Sequence, residues 1–169
     1  MKRLFAAVLL VGVAVLVGVL TASGSSNSAA RSAAPAAKKS VTLHLVEKSV
    51  GFNFIDNPPR QGFNSAPLMG DQFAISSDLQ TKSGTHVGTL EATCMVTRGG
   101  ERTRGICSGV FAFIGGQVAL TALLPNTDTT EIAVVGGTGA YEGVTGSAVS
   151  VGRGDNSPYS DDTIHLVWP

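Results

Sequence analysis

Between Val41 and Trp168 apolar and polar residues alternate in short segments, each closed within a dozen residues by glycine or another turn former. Such alternation is the period of a strand with one buried face, and no stretch in this region carries the 3.6-residue period of a helix. Eighteen of the 21 glycines lie from Val41 onward. An interior glycine costs a helix about 1 kcal/mol, so a helical bundle is excluded and a β-rich domain with many turns remains.

Eight extended segments are predicted: Val41 to Lys48, Gly70 to Thr81, Thr85 to Thr97, Thr103 to Ile114, Gln117 to Leu124, Thr130 to Val135, Val144 to Gly152 and Thr163 to Trp168. Hairpin-length links join most of them. The fold class this implies is all-β, an eight-stranded antiparallel up-and-down barrel closed by pairing the first segment with the last, with a sandwich as the competitor. Closure removes exposed edges, and eight strands leave room for side chains or one small ligand. Gly51 to Gly70 holds three prolines, three glycines and three asparagines and reads as a long loop, able to cover a barrel mouth.

The first 40 residues differ in kind. Met1-Lys2-Arg3 precedes an unbroken apolar run from Leu4 to Leu20, followed by small residues to Gly24. Residues 1–24 read as a secretory signal peptide, with an uncleaved anchor as the alternative and the only expected membrane contact. Residues 25–40, rich in Ser and Ala, read as a flexible tether, and residues 41–169 as the barrel domain. The expected location is secreted or extracytoplasmic.

Charge narrows the partners. Of 12 Lys plus Arg and 12 Asp plus Glu, five basic and no acidic residues precede Val41, leaving the domain 7 basic to 12 acidic, or about −5. A nucleic-acid surface needs a basic face, so no nucleic-acid partner is expected. Cys94 and Cys107 flank the turn Arg98-Gly99-Gly100-Glu101, a hairpin that sets them opposite one another. In an oxidising compartment they are expected to form a disulfide, two separate buried thiols being the alternative.

Other motifs resolve into bland readings. Gly136-Gly137-Thr138-Gly139 is followed by a β-branched run instead of a helix, so it reads as a sharp reversal and not a phosphate loop. Ser108 lacks the nucleophile-elbow pattern. His44, His86 and His165 are widely spaced with no HxxxH or CxxC pair, so no metal is expected. His44 and His165 do fall in first and last strands that a closed barrel makes neighbours, where they read as strand side chains before ligands.

Gly70-Asp71-Gln72-Phe73, then Val87-Gly88 through Cys94-Met95-Val96-Thr97, and above all Ile132 to Gly146 with its Val135-Gly136-Gly137-Thr138-Gly139 core and Tyr141, occur in an order that resembles the allene oxide cyclase and dirigent superfamily. The resemblance implies an eight-stranded barrel with a central cavity, dimers or trimers, and no cofactor. By position it implies Glu47, Ser49 (where the cyclases carry Asn) and Cys94 as candidate catalytic residues. Ser77 takes the approximate place of a water-holding Asn, and Ser77, His44 and Tyr141 are the candidate ligand-binding residues. The implied function is a barrel that binds a small hydrophobic molecule and steers its cyclisation or coupling, as a cofactor-independent isomerase or cyclase if it is an enzyme. The alternative is a non-catalytic binding or structural barrel of the cell envelope. An inward Glu47 and a cavity near or above ~300 Å³ separate the first reading from the second.

Overall fold

A computed structural model describes residues 38–58, 66–124, 127–154 and 156–169. The expected signal segment and residues 25–37 of the expected tether lie outside them. Eight strands follow in chain order: β1 (Ser40–Ile55), β2 (Gln72–Gln80), β3 (His86–Arg98), β4 (Arg104–Phe113), β5 (Gly116–Leu124), β6 (Thr129–Gly137), β7 (Thr145–Gly152) and β8 (Tyr159–Val167). Each pairs antiparallel with the next, and β8 returns to β1, with Ser40 opposite Val167 and Lys48 opposite Tyr159. The barrel is closed, as the alternating segments predict. A 3₁₀ turn, Gly139–Tyr141, lies in the β6–β7 connection.

Period-two alternation sorts the side chains. Leu45, Leu79, Phe111, Val118, Ile164 and Leu166 point inward and are buried, while their neighbours along each strand face out. Burying such side chains contributes about 1.5–3 kcal/mol each, the term that fixes register, because a one-residue slip would turn every one of them to solvent. The end of the barrel bearing the β4–β5 turn, the 3₁₀ turn and the C-terminus is closed by aromatics. Phe113 packs on Tyr141 with ring centroids 5.6 Å apart, and Tyr141 stacks on Trp168 at 6.4 Å.

The glycine-dense loop belongs to this closed end. Gly116 lies against the loop so closely that a Cβ there would sit 2.0 Å from the Thr138 carbonyl oxygen. Thr138 and Ala140 donate their amides to the carbonyls of Gln117 and Gly115. These N–H groups are therefore spent on the neighbouring hairpin, which removes the donors a phosphate would need.

Two strand limits differ from expectation by four or more residues, and both matter for the site. β1 does not stop at Lys48 but runs to Ile55, because a bulge between Ser49 and Gly51 absorbs one residue and pairing with β2 resumes. Phe73 holds this extension, with its ring 5.6 Å from that of Phe52 and 5.2 Å from that of Phe54. The connection to β2 is shorter than the predicted loop, and buried Asp71 anchors its base, accepting from the amides of Asn57 (3.0 Å) and Leu68 (2.7 Å). At the other end of the chain β8 starts at Tyr159 instead of Thr163. Ser160, Asp161 and Asp162 are strand residues as a result.

Candidate active site in the barrel cavity

The half of the barrel away from the aromatic plug is not filled. A cavity of about 160 Å³ lies there, with Glu47, Ile75, Leu90, Ala92, Leu120 and Ile132 among its walls and Thr130, Ser150 and Ser160 as polar points. Small residues in the walls leave the space: Ala92 lies opposite Gly109 in the β3–β4 ladder, and Ala122 stands on β5 beside Ile132 of β6. The volume falls short of the ~300 Å³ expected for a small-molecule role, so of the two separating observations only the inward Glu47 is met. The cavity takes a compact molecule or one end of a longer one.

Glu47 is half-buried and lies just before the β1 bulge, so it is a mid-strand residue of the interior and not a strand-end residue at a lid. Its Oε1 accepts a 2.7 Å hydrogen bond from the Ser77 hydroxyl, and Ser77 is fully buried. On the other side stands Asp162. The β1–β8 register sets Leu45 opposite Asp162 and Glu47 opposite Ser160, which makes the two acids diagonal neighbours on the inner face. Asp162 is buried, and neither of its carboxylate oxygens finds a hydrogen-bond partner among the described residues.

Removal from water is the first cause of an upward shift that takes the Asp162 carboxyl to about 7, and the negative charge of Glu47 is the second. The Ser150 hydroxyl, outside hydrogen-bonding geometry, opposes the rise less strongly. Two ionised carboxylates are acceptors only and have no hydrogen bond to offer each other. With a proton on Asp162 its O–H can be given to Glu47, and the pair then holds one proton and one negative charge near neutral pH. Glu47 is the member in the cavity wall; Asp162 stands beside it, outside the lining, and acts through it.

The candidates from sequence divide. Glu47 and Ser77 are brought into direct contact. Cys94 and Cys107 lie directly opposite in the β3–β4 ladder, are joined by a disulfide, and line the cavity. Cys94 is thus present as a bridged sulfur and not as a thiol, which removes it as a nucleophile or acid. Ser49 sits exposed at the bulge, with its amide donated to the Pro158 carbonyl. His44 points outward from β1, where even-numbered positions before the bulge face solvent, and bonds Thr163. Tyr141 packs in the aromatic plug, away from the cavity walls. Asp162 was missed because the last strand was begun one residue after it. Ile164 and Leu166 carried the signal: stepping back by two from these apolar residues lands on Asp162, an acid on the buried face.

No family model matches the sequence, and no curated protein matches it. Among solved structures, a pyocyanin demethylase shares 23% identity over 75% of this chain and 99% of its own, with a TM-score of 0.64. The pterocarpan synthase dirigent protein GePTS1 shares 20% over 78% of this chain and 86% of its own, also at 0.64. The Diels-Alderase AbmU from Streptomyces koyangensis shares 18% over 79% and 69%, at 0.53. The fold is that of the dirigent-type barrels. At these identities the likeness extends to the fold alone, and this chain has its own interior acid pair to account for.

Proposed function

We propose that this dirigent-type barrel binds a small hydrophobic molecule in its cavity and steers its cyclisation or coupling, as a cofactor-independent isomerase or cyclase with Glu47 as its charged group. The single observation carrying this reading is an acid pair, Glu47 and Asp162, set against a cavity whose other walls are mostly apolar. Buried charge is costly to maintain without partners, and perturbed carboxyls in clefts concentrate at functional sites. Similar barrels include proteins named as a demethylase, dirigent proteins and Diels-Alderases, which supports chemistry on a ligand held inside the barrel.

The mechanism follows from shape and charge. Apolar walls hold the ligand in one conformer, and holding reacting atoms in place supplies several kcal/mol of barrier lowering by itself. Glu47, its carboxylate fixed by the Ser77 hydroxyl, faces the ligand as an acceptor for a proton or as the counter-charge to a developing cation. Asp162 is a positioning residue: it keeps a proton within reach of Glu47, so that a proton taken from one ligand atom can be returned to another. An allene oxide cyclase-like reaction, in which a carboxylate and shape together direct ring closure, fits these parts. The disulfide and the N-terminal apolar run support a secreted or extracytoplasmic setting.

Native mass spectrometry of the protein purified from its own source tests the ligand, with Ala122→Leu as a cavity-filling partner. The reading expects a bound small molecule that Ala122→Leu expels while the fold persists. An empty wild-type barrel, or a ligand indifferent to Ala122→Leu, overturns it. With a ligand in hand, Glu47→Gln is expected to retain binding and to lower turnover by about 10²-fold. Unchanged turnover would leave a passive binding barrel.

A further inference from the structure

The outer face of the β1–β8 seam carries an arrangement that the cavity does not use. In the register of these strands Thr42 stands opposite His165, and His44 opposite Thr163. All four side chains are exposed and share the outward face. The Thr42 hydroxyl lies 3.1 Å from His165 Nδ1, and the Thr163 hydroxyl 3.2 Å from His44 Nδ1. Each imidazole thus reaches across the seam to the other strand, and the two rings are diagonal neighbours, with no hydrogen-bond partner for either Nε2 among the described residues.

We propose that His44 and His165 form a two-imidazole binding site for a borderline divalent cation, Zn²⁺ or Cu²⁺, across the strand pair that closes the barrel. An imidazole binds metal through one nitrogen when the other carries the proton, and a hydrogen bond from that second nitrogen sets the tautomer and the ring orientation. A threonine hydroxyl can accept from Nδ1–H, which leaves the Nε2 lone pair to the metal. Here the same device occurs twice, once from each strand. With metal–nitrogen bonds of about 2.0 Å at a tetrahedral angle, the two Nε2 atoms need to come within about 3.3 Å, which diagonal side chains on one sheet face can reach by rotating about their side-chain bonds.

The donor set also selects the ion. Imidazole suits Zn²⁺ and Cu²⁺, whereas Mg²⁺ and Ca²⁺ take oxygen ligands. Asp161, on the same face of β8 as Thr163 and His165, is held by Arg153 through two hydrogen bonds of 3.0 and 2.8 Å. Among the described residues no group of three or more His, Cys, Asp or Glu could hold a metal, so water or a donor from another molecule completes the coordination. A cation held by both strands binds the closed barrel and not the unfolded chain, so it stabilises the seam by mass action.

The test uses the untagged full chain, titrated with ZnCl₂ or CuCl₂ and followed by calorimetry and thermal denaturation, with MgCl₂ as the control. One ion per chain is expected, with a melting temperature that rises with Zn²⁺ or Cu²⁺ and ignores Mg²⁺. Both rings are exposed, so His44→Ala and His165→Ala are expected to fold and to lose the response, and the double variant to behave as either single one. Thr42→Val, which removes only the hydroxyl behind His165, is expected to weaken binding by about 10-fold. As a readout that needs no variant, substoichiometric Cu²⁺ is expected to broaden the imidazole NMR signals of His44 and His165 together, before those of His86. Absence of binding, binding unchanged in His165→Ala, or broadening of His86 first would overturn the site.

Discussion

Asp162 stands diagonally across the β1–β8 ladder from Glu47, and both acids face the inside of the barrel. Like charges paired across a ladder repel; here the alternation of β8 carries an acid inward with Ile164 and Leu166, next to the one acid that β1 points inward. Burial first, and the nearby Glu47 charge second, raise the Asp162 carboxyl to about 7. A proton is thereby stored in an apolar interior at ordinary pH.

Stability should depend on that proton. The Asp162 carboxyl titrates at about 7 in the folded protein and near 3.9 in the unfolded chain, so the native state binds more protons between these values. Its contribution is fully present below pH 4, declines as pH rises, and levels off above about 7, a loss of order 4 kcal/mol. Asp162→Asn cannot ionise. Urea denaturation at pH 4.5, 6 and 8 is expected to show the variant gaining on the wild type as pH rises; a constant difference would assign the acid no such shift.

Ser77→Ala removes the hydroxyl that donates to Glu47 Oε1 at 2.7 Å. Hydrogen bonds to charged groups are worth about 1.5–3 kcal/mol, and a destabilisation in that range is expected from chemical denaturation at neutral pH. A change below about 0.5 kcal/mol would mean that water replaces the hydroxyl without loss.

The disulfide closes a separation of 13 residues between β3 and β4. Loop-closure entropy gives such a bridge about 3 kcal/mol. Reduction, or Cys94→Ser with Cys107→Ser, is expected to lower unfolding free energy by about that amount while circular dichroism stays that of a β-protein. Loss of the fold altogether would give the bridge a larger part than the β3–β4 ladder allows.

The architecture was readable because its signals are local. Alternation marks the strands, glycines mark the reversals, and the hairpin turn at Arg98 to Glu101 places Cys94 opposite Cys107. The site was readable only in part. Glu47 was found by resemblance, but its surroundings depend on register and on two strand limits that sequence misplaced. The bulge at Ser49 to Gly51 hides in what looks like the start of a loop, since Lys48, Ser49 and Gly51 are all residues that end strands. Ser160 to Asp162 reads as the tail of a polar turn until pairing with β1 pulls it into β8. His44 and Tyr141 illustrate the converse. Their types suit a ligand site, yet parity sends the first outward and the aromatic plug claims the second.

The most direct test is a carboxyl titration by ¹³C NMR of Asp162 in the wild type and in Glu47→Gln. The account expects Asp162 to titrate near 7 in the wild type, and lower in Glu47→Gln while still above the usual carboxylate range, because the charge of Glu47 is removed and burial is not. Titration of Asp162 near 4 in both proteins would contradict it, for the interior would then hold two independent carboxylates and no shared proton to offer a ligand.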